Sequence, residues 1–270
     1  LGEYIRLLLI PHPLTHDYYP YHIPIMNWGN WQVLLSLLAY LGLGYVAVLG
    51  WQKKWQPAYG IWFYLLTLSI VSNVVVNVGT FMNERFLFMP SLGYCLVVGW
   101  FIGEKLPKLT RDEFNLLSIG LLAVLLIGYG VRTWTRVPVW EDPLTLNSAA
   151  VEVSENSTRA NCFMATALYH EYRRVKKEVG AQEAKPILDT AFTYIERSLE
   201  IHPGYGSAMT MRAGLVGEHY SFDRNLEAVL QEFEQILRRK NQLQYIDQFL
   251  DYLNNTGADK ERLLRFAHEV

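Results

Sequence analysis

Four strongly apolar stretches lie in the first half of this 270-residue chain, and none lies in the second. They run over Trp31–Gly50, Ala58–Val78, Phe86–Gly103 and Phe114–Val131. Each approaches the roughly 20 residues that an α-helix needs to cross a bilayer core. Trp28, Trp31, Trp51 and Trp55 bracket the first stretch, where amphipathic rings settle at a membrane interface. Charge divides the chain in the same way. Residues 1–131 hold 7 Lys and Arg and 6 Asp and Glu, against 17 and 20 in residues 132–270. A membrane half joined to a soluble half follows. The net charge of -2, with no basic stripe of interleaved aromatics, argues against a nucleic-acid binder.

Loop charges set the expected orientation. Lys53 and Lys54 follow the first span, and Lys105, Lys108 and Arg111 follow the third. The positive-inside rule places both loops in the cytoplasm. The opposite face then holds residues 1–30, the Glu84-Arg85 turn and everything after Val131. Within residues 1–30, Tyr4–Ile10 is too short to span and reads as an interfacial helix, stopped by Pro11 and Pro13. The chain begins with Leu1, and its first residues read as mid-protein sequence, so a longer N-terminal part is expected.

The second half is helical in period and contains a repeat. Arg159–Tyr172 matches Ser207–Tyr220 at an offset of 48, with Ala160 over Ala208 and Tyr172 over Tyr220. A tetratricopeptide period is about 34 residues, and a lengthened hairpin around Arg173–Pro186 accommodates the excess. The fold class expected is all-α: a polytopic bundle of about four spans followed by a tetratricopeptide-like α-solenoid. The domains expected are an outer-face loop and interfacial helix over 1–30, a transmembrane region over 31–131, a linker over 132–157 and repeats over 158–270.

Ionisable groups beside hydrocarbon are costly and tend to mark function. Glu84 and Arg85 stand at the mouth of the third span, next to Asn83 and near Asn77. One reading is an ion pair that closes a turn. The other gives Arg85 the phosphate of a lipid, held by its fork of donors, with Glu84 orienting it. His16, Asp17, Tyr18 and Tyr19 lie in the proline-rich loop on the same face. They either cap a turn or position a sugar or an acceptor. Arg132 follows the fourth span, as a surface anchor or as a second arm to the same phosphate, and Asn73 and Asn77 share a helical face as interhelical glue. His12, His16 and His22 match no metal signature, so no metal is expected. No nucleophile elbow or glycine-rich phosphate loop is present, and no cofactor is read from the residues.

The order of these motifs resembles a known family. The residues are Pro11–Pro24, Glu84-Arg85-Phe86-Leu87-Phe88-Met89-Pro90-Ser91-Leu92-Gly93-Tyr94, Arg136–Trp140 and the repeats after 158. Together they are similar to the transmembrane and tetratricopeptide-repeat branch of the GT-C glycosyltransferases, which are protein O-mannosyltransferase-like. The resemblance implies transfer of a sugar, mannose by expectation, from a polyprenyl-phosphate donor to a polypeptide acceptor held by the repeats. The resemblance gives Arg85 the departing lipid phosphate; the residues themselves add Arg132 as the second candidate there and Glu84, His16, Asp17, Tyr18 and Asn77 as candidates for the donor or acceptor site. The resemblance places the catalytic acidic residue in a first outer loop, outside this sequence, and leaves the catalytic residue unassigned here. The implied location is a bacterial inner membrane or the endoplasmic reticulum, with the repeats on the non-cytoplasmic side. The rival expectations are a membrane-anchored repeat scaffold and an O-antigen ligase or polymerase-like enzyme.

Overall fold

The structure, a computed structural model, describes residues 1–20, 22–24, 26–73, 78, 82–110, 115–238 and 245–269. Among the described residues the architecture is all-α, with no strand. It forms two compact units, residues 1–19 with 23–142 and residues 20–22 with 143–270. The stretch 132–157 expected as a linker is largely helical and is divided between the units at Asp142.

The first unit opens with α1 (Gly2–Leu9), which buries Tyr4 and Leu7 against Tyr18, Tyr64, Leu68, Met82 and Leu87. The apolar helix α2 (Trp31–Gln52) follows. Its turn into α3 (Gln56–Val71) is tight, since a Cβ on Gly50 would stand 2.7 Å from that of Ala58. Among the described residues, three segments are long and apolar enough to cross a membrane: Trp31–Gln52, Glu84–Thr110 and Leu116–Trp140. Only 11% of the first apolar window and 6% of the last is buried, so their side chains require lipid, not water, around them.

The second expected span differs. Helix α3 has 16 residues, about 24 Å at 1.5 Å per residue, short of a ~30 Å hydrocarbon core. It stops because Asn73 adopts left-handed backbone (φ 59°), and the Asn73 Oδ1 accepts the Val78 N–H at 2.9 Å. The shared helical face expected for Asn73 and Asn77 is therefore not formed by α3, which ends before Asn73, and Asn77 lies outside the described residues.

The third span runs past its expected end. A 3-10 turn (Glu84–Leu87) leads into α4 (Phe88–Trp100), a π turn (Phe101–Lys105) and α5 (Leu106–Thr110). Pro107 explains the π turn. It offers no N–H to the carbonyl four residues back and crowds it, and the Leu106 N–H reaches back to Phe101 instead. Helix α6 (Leu116–Arg136) ends in a 3-10 turn over Val137–Trp140.

Helices α3 and α4 cross at two glycines. A Cβ on Gly93 would lie 2.4 Å from the Gly60 carbonyl oxygen, and one on Gly60 would lie 2.8 Å from that of Gly93. Small residues allow backbones in a membrane bundle to approach this closely, and packing there replaces the missing hydrophobic drive.

The second unit is built from antiparallel helices: α7 (Pro143–Val153), α8 (Thr158–Val179), α9 (Ala181–Ile201), α10 (Gly206–Asp223), α11 (Leu226–Arg238), α12 (Ile246–Asn255) and α13 (Lys260–Glu269). The residues aligned by the repeat take equivalent places. Ala160, Ala208, Ala165 and Ala213 are all fully buried, as are Tyr172 and, nearly so, Tyr220. The excess over a 34-residue period lengthens α8 and α9, with Gly180 (φ 102°) turning the chain between them. Ser157 caps α8 by accepting the Ala160 N–H. The Thr158 hydroxyl donates to the Ser198 carbonyl, and the Ser198 hydroxyl donates to that of Thr158, which ties the start of α8 to the end of α9. One core gathers Tyr172, Leu188 and Ile195, and the next gathers Leu230, Phe233, Leu253 and Phe266.

Glu218 is the buried charge of this unit. It accepts from the Tyr172 hydroxyl at 3.0 Å and pairs with Lys176. Burial alone would raise its carboxyl. Hydrogen bonds from Lys176 and Tyr252, the Lys176 charge and the Tyr172 hydroxyl outweigh burial and hold it below the ordinary carboxylate range.

Two outcomes follow. Gly93→Ala should lower the thermal midpoint of the detergent-solubilised chain by an overpacking cost of about 1–3 kcal/mol. Gly99→Ala, where a Cβ meets no atom within 4 Å, should leave it unchanged or slightly raised. A depressed folded-state pKa stabilises above the unfolded value and is lost as pH falls through the folded one. The helical melt of the second unit should therefore weaken as pH drops below about 4.5, and Glu218→Gln should be less stable at pH 7 and lose that part of the acid dependence.

Candidate functional site

The polar end of the membrane unit is organised around the turn that begins α4. Asn83 has extended backbone and caps the turn, its Oδ1 accepting the Arg85 N–H at 3.1 Å. Its Nδ2 donates to the His16 carbonyl at 3.0 Å. The Glu84 Oε1 accepts two bonds from the proline-rich loop, the Thr15 N–H at 2.6 Å and the Tyr18 hydroxyl at 2.7 Å. Thr15, Asp17, Tyr18 and Asn83 are all buried. The loop and the Glu84 turn thus share one end of the unit, joined by charge-assisted bonds. Lys53, Lys54 and Trp55 lie at the opposite end, where the Trp55 ring meets Trp100 edge-on at 5.2 Å.

Each expected site residue has a definite place. Asp17 is buried, and its Oδ1 accepts the Tyr19 N–H at 2.8 Å, which closes a turn. Burial, then the neighbouring Glu84 carboxylate, pushes the Tyr18 phenol up, so it keeps the proton it donates. Burial lowers His16, with Asp17 opposing and the Arg136 charge adding to the effect. Arg85 is exposed, its guanidinium 5.9 Å from the centre of the Phe86 ring. Glu84 and Arg85 turn apart: the carboxylate faces the loop and, among the described residues, Arg85 forms no ion pair. Asn77 lies outside the described residues.

Arg132 and Arg136 are brought together. They are four residues apart near the end of α6, hence on one face. Both line a cavity of about 260 Å³ with Pro11, Leu14, Tyr129 and Trp140. The Arg132 Nε donates to the Pro11 carbonyl at 2.9 Å. Among the described residues, the buried Nη2 of Arg136 meets no hydrogen-bond acceptor. Two like charges at this spacing repel, and a buried guanidinium nitrogen without an acceptor is costly. Both features suit an anion. Both cations also act electrostatically on Glu84.

An apolar slot of about 180 Å³ opens in the same unit, lined by Leu8, Leu9, Ile61, Tyr64, Tyr94 and Val97. Tyr129 lines the cationic cavity, and its hydroxyl donates to the carbonyl of Leu8, a residue that lines the slot. The sequence reading passed over Arg136 as a site residue. The signal was available in its spacing of four from Arg132 at the end of a span.

No family model matches the chain, and no solved structure matches it. Curated proteins do. Protein O-mannosyl-transferase Tmtc1 of Drosophila melanogaster is 33% identical over 106 residues, 39% of this chain and 12% of that protein. Protein O-mannosyl-transferase Tmtc3 of the same organism is 28% identical over 173 residues, 61% of the chain and 18% of its own length. Protein O-mannosyl-transferase TMTC3 of Homo sapiens is 27% identical over 163 residues, 56% of the chain and 17% of its own length. The matched region spans less than a fifth of each of these relatives. Together with the apolar helices, these similarities make this a membrane protein, similar in sequence over part of its length to the transmembrane and tetratricopeptide-repeat protein O-mannosyl-transferases.

Proposed function

We propose that this chain supplies the lipid-phosphate site of a glycosyltransferase that moves mannose from a polyprenyl phosphate to a hydroxyl of a polypeptide. The observation that carries the reading is the Arg132–Arg136 cavity, in which a buried guanidinium nitrogen of Arg136 has no acceptor among the described residues. A phosphate supplies acceptors for both guanidinium forks. The apolar slot past Tyr129 suits the isoprenoid chain of the same molecule. This reading moves the phosphate from Arg85, which stands exposed at the same end, to Arg132 and Arg136.

The chemistry is one displacement. The bond between the sugar's anomeric carbon and the phosphate oxygen breaks, and a bond from the acceptor oxygen to that carbon forms. The acceptor's proton passes to a carboxylate base, which the family resemblance places outside this sequence. The lipid phosphate leaves with the electron pair. Arg132 and Arg136 stabilise the charge that develops on it, where fixed cations in a water-poor site act most strongly. Glu84, Asn83 and Tyr18 are positioning residues. They fix the loop whose Pro11 carbonyl holds the Arg132 side chain. By the positive-inside rule this end, and the repeats that receive the acceptor, face away from the cytoplasm.

The test is binding of a fluorescent polyprenyl phosphate to the full chain in lipid nanodiscs. A charge-assisted bond of about 1.5–3 kcal/mol predicts that Arg136→Ala weakens binding roughly ten- to hundredfold. Arg85→Ala should cost about threefold or less, as expected for an exposed cation. Polyprenol without phosphate should bind equally to all three proteins. Equal binding of the phosphate to Arg136→Ala and to the unaltered chain would overturn the assignment.

A further inference from the structure

The first helices of the three successive hairpins in the second unit, α8, α10 and α12, share a groove of about 600 Å³. Its walls carry Tyr169, Arg173 and Lys177 from α8 and Phe249 and Tyr252 from α12. Its floor is α10, and the floor is bare. Gly214 and Gly217 lie one turn apart on one face of that helix. A Cβ on Gly217 would meet no atom within 4 Å, and one on Gly214 would meet only the Phe249 ring, at 3.6 Å. Packing therefore does not require glycine at either position. Each glycine costs the helix about 0.5–1 kcal/mol relative to alanine. What the pair provides is unfilled space at the bottom of the groove, where Gly214 is half-buried and Gly217 is buried.

The groove's charge is unbalanced. Glu218 is already engaged by Lys176, Tyr172 and Tyr252 and neutralises Lys176. Arg173 and Lys177 are four residues apart, exposed, and not ion-paired among the described residues. The Arg173 guanidinium sits 6.0 Å from the centre of the Tyr169 ring, which orients it without neutralising it. Two cations flank an aromatic wall above a bare floor. This arrangement complements an extended peptide with carboxylate side chains and aromatic or apolar residues between them.

We propose that the α8–α10–α12 groove binds an extended acidic segment of a polypeptide, with its carboxylates at Arg173 and Lys177 and its backbone over Gly214 and Gly217. The assignment deepens the acceptor role given to the repeats above and names its chemistry, but binding is read without any transfer reaction.

The experiment uses the full chain in detergent and three fluorescein-labelled decapeptides: one of Asp, Glu, Gly and Tyr, one with Asn and Gln in place of the acids, and one with Lys in their place. The acidic peptide should bind at least tenfold more tightly than the other two, and its affinity should fall as salt rises. The double variant Arg173→Glu with Lys177→Glu should lose at least tenfold for the acidic peptide. Both side chains are exposed, so the fold should persist. Gly217→Leu should block the groove and leave the helical melt unchanged or raised. Equal binding of the acidic and neutral peptides, or unaltered acidic-peptide affinity in both variants, would overturn the proposal. If the acidic peptide shows no preference or the groove variants keep full affinity for it, while Arg136→Ala weakens polyprenyl-phosphate binding as expected, this inference falls and the lipid-phosphate reading stands. If peptide binding behaves as expected while Arg136→Ala keeps full polyprenyl-phosphate affinity, the reverse holds.

Discussion

One carboxylate organises the polar end of the membrane unit. Glu84 is set on a 3-10 turn at the start of an apolar span, where an unpartnered charge would be expensive. It is satisfied by a backbone N–H and a phenol from a loop almost seventy residues earlier in the chain. Asn83 repeats the tie one residue earlier by donating to the His16 carbonyl. The loop, pinned in this way, offers its Pro11 carbonyl to Arg132. The cationic cavity is thus a consequence of the Glu84 tie. Three segments distant in sequence, the loop, the Glu84 turn and the end of α6, are brought to one place by hydrogen bonds to charged groups, the strongest kind available near hydrocarbon.

A second constraint is geometric. Helix–helix contact inside a bilayer gains little from the hydrophobic effect, so backbones must come close. Gly60 and Gly93 meet that need between α3 and α4. In the second unit, the small residues Ala160, Ala165, Ala208 and Ala213 are buried where water supplies the drive. The glycines of α10 differ from both groups. A Cβ at Gly214 or Gly217 would meet little or nothing, so close helix packing does not account for glycine there.

Much of this was legible in the sequence, for identifiable reasons. Of the four spans expected from apolar length, three have helices long and apolar enough to cross a bilayer among the described residues, because length and composition decide that property. The offset of 48 placed Tyr172 over Tyr220, and both are buried, because a repeat fixes burial as well as period. The expectation that the proline-rich loop and Glu84 share one end came from counting spans, and the contacts agree. The length of the second span did not follow from its composition. Asn73 takes a left-handed backbone conformation that an apolar run does not announce. The continuation of the third span past Lys105 was hidden because charged residues and Pro107 read as loop, whereas a π turn absorbs the proline. Arg136 was read only as part of a motif; its spacing of four from Arg132 put both cations on one helical face, but the cavity they line is formed by the distant Pro11 loop. The Glu84-Arg85 pair suggested an ion pair by adjacency, but the two residues project apart: Glu84 finds partners that only the tertiary structure supplies, and Arg85 lies over the ring of its neighbour Phe86.

The central claim is that the end of α6 receives an anionic lipid headgroup. It is tested most directly by photo-crosslinking the full chain in nanodiscs with a polyprenyl phosphate that carries a benzophenone next to its phosphate, and mapping the adducts by peptide mass spectrometry. The account predicts adducts within residues 129–140 and on the loop around Pro11, competed by excess unlabelled polyprenyl phosphate but not by polyprenol. Adducts confined to the Lys53–Lys54 end, or labelling that polyprenol displaces equally well, would contradict it.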